Sequence, residues 1–83
     1  MNRKWKVYFY ETIDGKCPVK EFIESRSNSN QRKIVSSIEY LKDMGINHQR
    51  PYSDLIKDGI HELRVMLSGE HTRTLYFFVI RIT

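Results

Sequence analysis

The chain has 83 residues, 14 Lys and Arg against 10 Asp and Glu, a formal net charge of +4, and a single cysteine. At this length one domain is the most that fits, and a domain so small buries only roughly 60–65% of its unfolded surface. One cysteine excludes an internal disulfide, no apolar run is long enough for a signal peptide or a membrane span, and the moderate basic excess suits a nucleic-acid partner without requiring one.

Residues 4–10 alternate: Trp5, Val7 and Phe9 point one way, and Lys4, Lys6, Tyr8 and Tyr10 the other. This predicts a strand with one wet, basic face. Asp14-Gly15-Lys16 reads as a turn, and Pro18 stands where a first helical residue tolerates proline. Val19, Phe22 and Ile23 follow at helical spacing, predicting a short helix to about Ser25. The run from Ser27 to Asn30 stops that helix and supplies N-caps for the next.

A second helix is predicted over 31–44, with Ile34, Ile38, Leu41 and Met44 as its apolar stripe, Val35 widening it, and Gly45 closing it. Its outer face carries Arg32, Lys33, Glu39, Lys42 and Asp43. Residues 48–52 read as loop, and Lys57-Asp58-Gly59 as a turn into a strand over 60–67. That strand places Leu63, Val65 and Leu67 on one face and Glu62, Arg64 and Met66 on the other. Beyond Ser68-Gly69-Glu70, residues 72–82 are apolar on both sides, which predicts a strand covered on both faces. The expectation is an α+β fold in the order β-α-α-β-β, two helices packed on a small, mostly antiparallel sheet in one domain spanning 1–83.

Metal chemistry has little support, because His48, His61 and His71 are isolated, with no cysteine partner and no helical i, i+4 pairing. Cys17 precedes a helix-starting proline and reads as a small cap or packing residue rather than a nucleophile. No phosphate loop is present, since the four glycines are scattered singly. There remains a group comprising Lys57, His61, Arg64, His71, Arg73 and Tyr76. RNA cleavage by its own 2′-hydroxyl needs a base, an acid and cations around the phosphate, roles that histidine or tyrosine and arginine can fill. The quieter reading pairs Arg64 with Glu62 or Glu70 and makes Tyr76 a core residue with its hydroxyl at the edge. It leaves His61 and His71 as solvated strand ends, and on the residues alone it stands ahead.

Residues 51–65, PYSDLIKDGIHELRV, followed by Thr72-Arg73-Thr74-Leu75-Tyr76-Phe77-Phe78, resemble the phage-derived HigB-like branch of the RelE/ParE toxin superfamily. The N-terminal half resembles it too, with its strand, Asp-Gly turn, short Pro-Val-x-x-Phe helix and longer second helix. The resemblance implies a RelE-like fold and the toxin of a type II toxin–antitoxin module. It implies an enzyme that enters the ribosome in the cytoplasm and cuts mRNA to a 2′,3′-cyclic phosphate without metal or cofactor.

In that reading Arg73 faces the scissile phosphate, with Arg64 and His61 beside it in the catalytic group. Lys57, His71, Lys4, Lys6, Arg32 and Lys33 contact RNA. Partners implied are a helix-turn-helix antitoxin, the ribosome and mRNA, with no membrane. Relatives continue through a further strand and helix that carry remaining acid or base groups, whereas this sequence stops at Thr83. The expectation is therefore impaired catalysis and an open strand edge prone to self-association. A binding-only toxin remnant and a ParE-type gyrase inhibitor are the alternative readings.

Overall fold

A computed structural model describes residues 5–79. They form two helices, a 3₁₀ turn and a three-stranded antiparallel sheet, an α+β fold. The elements are α1 (Pro18–Glu24), α2 (Asn28–Met44), β1 (Ser53–Lys57), β2 (Ile60–Leu67) and β3 (Glu70–Tyr76), with the 3₁₀ turn at Gly45–Asn47. They fall into two compact units, divided after Gly45.

In the first unit Thr12 and Lys16 close the Asp14-Gly15 turn, with Thr12 N–H donating to the Lys16 carbonyl at 2.8 Å. Pro18 opens α1 as its first residue, where a missing N–H costs nothing. Cys17 precedes it without any side-chain cap hydrogen bond, so the capping role expected of its thiol is not realised. Ser27 does cap α2: its hydroxyl accepts the Asn30 N–H at 3.2 Å. Helix α2 therefore starts three residues before the expected Gln31. Ile34 and Leu41 of the predicted stripe are buried and Ile38 is half-buried, while Val35 and Met44 are exposed. At Gly45 the chain takes a φ of 54° and its N–H donates to the Leu41 carbonyl. A Cβ there would overlap the Trp5 indole, so glycine answers both a backbone and a packing demand.

The N-terminal strand is not formed: residues 5–12 have no ladder partner among the described residues. Trp5 N–H instead donates to the Lys42 carbonyl at 3.1 Å, at the end of α2. The alternation persists in exposure, Val7 and Phe9 being less exposed than Tyr8 and Tyr10. A period-two pattern expresses a preference for two environments; it does not supply a strand to pair with. Lys4 lies outside the described residues.

In the second unit the strand order is β1-β2-β3. Strand β1, between the expected loop over 48–52 and the expected turn at 57–59, matches no element expected from the sequence; it is short, and Ser53, Asp54 and Lys57 are polar. Asp58 and Gly59 join it to β2 with φ of 45° and 81° between the paired residues Lys57 and Ile60. Two consecutive left-handed residues match the right-handed twist of a hairpin, which is why an Asp-Gly dipeptide works there. On β2 the apolar face forms as expected, with Leu63, Val65 and Leu67 buried. Strand β3 differs from expectation. Leu75, Phe77 and Val79 are exposed and the strand ends at Tyr76, while residues 80–82 of the expected strand lie outside the described residues.

Candidate functional site

Strands β2 and β3 pair in unbroken register, with His61 opposite Tyr76, Glu62 opposite Leu75, Arg64 opposite Arg73 and Met66 opposite His71. Directly opposite residues of an antiparallel ladder project to the same side. One face therefore carries Glu62, Arg64, Met66, His71, Arg73 and Leu75, joined by Asp54, which pairs with Glu62 from β1.

Two guanidinium groups placed directly opposite one another repel, which destabilises the pair. Carboxylates offset it. Arg64 Nε donates to Glu62 Oε1 at 2.9 Å, and its terminal nitrogen to Asp54 Oδ2 at 3.3 Å. The Glu62 bond, aided by both carboxylates, pushes the Arg64 pKa above its ordinary value. Arg50 reaches Asp54 Oδ2 at 3.1 Å, and the hydrogen bond it donates, with the charges of Arg50 and Arg64, holds that carboxyl below its usual range.

Arg73 is differently placed. Its Nε stands 3.9 Å from Glu62 Oε1, at the limit of an ion pair, and its side chain is 69% exposed against 40% for Arg64. The quieter expectation, that Arg64 pairs with Glu62, therefore holds, while Arg73 reaches the same oxygen only at long range. A guanidinium with most of its donors open to solvent can take a phosphate bidentately.

The other expected site residues separate by strand parity. His71 lies two residues from Arg73 on the same side and is exposed. His61 lies three from Arg64 and faces the opposite way, so the structure does not bring it to the arginines. It stacks on Tyr76, with ring centroids 5.1 Å apart, and meets the Phe78 edge at 5.2 Å. Tyr76 shares that side, its hydroxyl buried and without a hydrogen-bond partner among the described residues. Lys57 ends β1 beside the hairpin turn and is exposed. Lys6, Arg32 and Lys33 are exposed residues of the first unit. Sequence reasoning passed over Asp54 and Arg50. The Asp-Gly turn implied a strand before β2, and with it a residue opposite Glu62.

The profile of the phage-derived Gp49-like protein family (DUF891) matches residues 21–82. The chain belongs to the Gp49-like family. This is a family of RelE/HigB-like toxins, and membership implies an antitoxin partner in general terms. No curated protein and no solved structure matches the chain. The Gp49-like match takes in α2 and all three strands, and so the whole arginine face, while Lys6 lies outside it. Among the described residues no helix is long and apolar enough to cross a membrane.

Proposed function

We propose that this Gp49-like protein is the toxin of a type II toxin–antitoxin module and acts as a HigB-like, ribosome-dependent mRNA endoribonuclease in the cytoplasm. The observation that supports the reading is the opposed pair Arg64 and Arg73 on one sheet face, with Arg73 open. A fold that accepts a like-charge pair and steadies it with Glu62 and Asp54 departs from local stability at one place, which is what a functional site commonly does.

In the proposed reaction the 2′-oxygen attacks the adjacent phosphorus, the bond to the 5′-oxygen breaks, and a 2′,3′-cyclic phosphate results. Arg73 holds the phosphate oxygens as charge gathers on them. Arg64, already engaged by two carboxylates, shapes the site and adds to its positive field. Lys57, Lys6, Arg32 and Lys33 supply phosphate contacts to RNA, which makes binding salt-dependent. The antitoxin is a helix-turn-helix protein.

The test is expression without antitoxin, with growth and mRNA ends followed. Growth arrest with new 2′,3′-cyclic ends, both lost in Arg73→Ala, is the expected result. Normal growth with intact mRNA, while an antitoxin still binds, would assign the chain to a binding-only role, a reading that the neutralisation of Arg64 favours. Arrest with intact mRNA and altered DNA supercoiling would point to gyrase instead.

A further inference from the structure

We propose that His71, and not His61, is the side chain that takes the proton at the Arg73 site. The proposal rests on the nuclease reading and adds to it the group that performs the proton transfer. The ladder register carries it. His71 and Arg73 are alternate residues of β3, about 6.8 Å apart along the strand, and project from the same side. A phosphate oxygen and its neighbouring 2′-hydroxyl fit within that span, one reached by a guanidinium and the other by an imidazole. His61, three residues from Arg64 on β2, is directed to the opposite side and is occupied by its stack on Tyr76 and its contact with Phe78. Tyr76 is on that far side too, which removes the other aromatic candidate.

Among the described residues the charged groups sharing His71's face are Arg73 on its own strand, Arg64 and Glu62 on β2, and Asp54 on β1 with Arg50 bound to it. Glu70, adjacent in sequence, alternates to the other face opposite Leu67. Glu62 and Asp54 are engaged with Arg64. His71 sits one rung further along, opposite the uncharged Met66. An imidazole placed there stands one rung away from the arginine pair, and its unprotonated ring nitrogen can accept the proton of a 2′-hydroxyl.

The step balances without any redox partner. The 2′-hydroxyl proton passes to the His71 imidazole, and the 2′-oxygen lone pair forms the new bond to phosphorus. The bond to the 5′-oxygen breaks, and that oxygen takes a proton from water. The hydroxide left behind recovers the proton from the His71 imidazolium.

Ribosome-dependent cleavage of a defined mRNA is measured between pH 5.5 and 8 with wild-type protein, His71→Gln, His71→Ala, His61→Gln and Arg73→Ala. The ribosomes are common to all arms, so differences between variants are free of the ribosome's own pH response. The expected result is a loss of about 10²-fold or more for His71→Gln, with the rise in rate with pH abolished. His61→Gln keeps the rise. Added imidazole restores part of the rate to His71→Ala, a rescue that a merely structural role would not show. A full rate and unchanged profile in His71→Gln, with Arg73→Ala inactive, overturns the His71 assignment and leaves the nuclease reading standing. Loss of the rise in His61→Gln instead overturns it as well. Wild-type protein that cuts nothing overturns both. Matching thermal melts of the variants, expected because His71 is exposed, exclude misfolding as the cause.

Discussion

The two sides of β2 are made from alternate residues of one eight-residue strand, yet they have little in common. One presents Leu63, Val65 and Leu67, at 4–9% exposure, and the other Glu62, Arg64 and Met66, followed across the ladder by Arg73 and His71. The first side is filled and apolar and contributes stability. The second holds an opposed pair of cations, which costs stability, and two carboxylates that offset part of that cost. Because neighbouring residues serve opposite ends, substitutions one position apart should separate activity from folding. The open apolar residue Leu75 of β3, opposite Glu62, belongs with the arginine side, so that side is not merely solvated charge.

The sharpest way to break this division is Arg73→Ala. It removes a mostly exposed side chain with one distant ion-pair partner, so stability should change by less than about 1 kcal/mol. Cleavage should fall about 10²–10³-fold, as for loss of one donor to transition-state charge. A melt shifted as far as the activity would show that the two sides are not separable. Next comes Leu67→Ala on the filled side. Truncating a buried leucine should cost about 3 kcal/mol in a denaturant titration, measured in the Arg73→Ala background so that the protein can be produced. A change under about 1 kcal/mol would mean that this face is not a core.

A smaller effect is expected in the other unit. Gly45→Ala places a methyl group onto the Trp5 indole, at a positive φ that alanine resists. About 2 kcal/mol of destabilisation should follow, accompanied by a change in tryptophan fluorescence as the indole is displaced. An unchanged emission spectrum would show that Trp5 does not depend on the absence of a side chain at this position.

How much of this was legible beforehand differs by element. Both helices could be read, because the caps and apolar spacing that define them are local: Pro18, Ser27 and Gly45 are all used as their chemistry suggests. The faces of β2 were equally plain from period two. That same parity separates His61 from Arg64, so grouping them as one site ignored information already present in the numbering. Strand β1 was hidden because five residues with a polar start carry too little pattern, and its register bulges between Leu55 and Lys57. The residues over 5–10 misled in the opposite direction, since alternation cannot report whether a partner strand exists. The Arg50–Asp54–Arg64 contacts depend on which strands become neighbours, a tertiary fact that no local spacing encodes.

The gentlest expected effect concerns His48, which lies before β1 and is 5% exposed, its Nδ1 hydrogen-bonded to the hydroxyl of the buried Ser53. Burial lowers the His48 pKa from its ordinary value of 6.5, because the imidazolium loses more hydration than the neutral ring. The folded protein then binds fewer protons than the unfolded chain at pH values between the lowered folded value and 6.5. Stability from this group is complete above about pH 6.5 and declines as the pH falls below it. Asp54 acts in a separate window: its lowered pKa gives a contribution that is complete above its ordinary 3.8 and is lost as the pH falls from there through the folded value. Denaturant midpoints of Arg73→Ala protein taken from pH 7.5 to 5 should therefore slope downward below pH 6.5, and His48→Gln should flatten the slope. A slope that survives the substitution would assign it to another group. It would also mean that the buried His48–Ser53 pair, at the start of β1, is not the acid-sensitive part of the sheet unit.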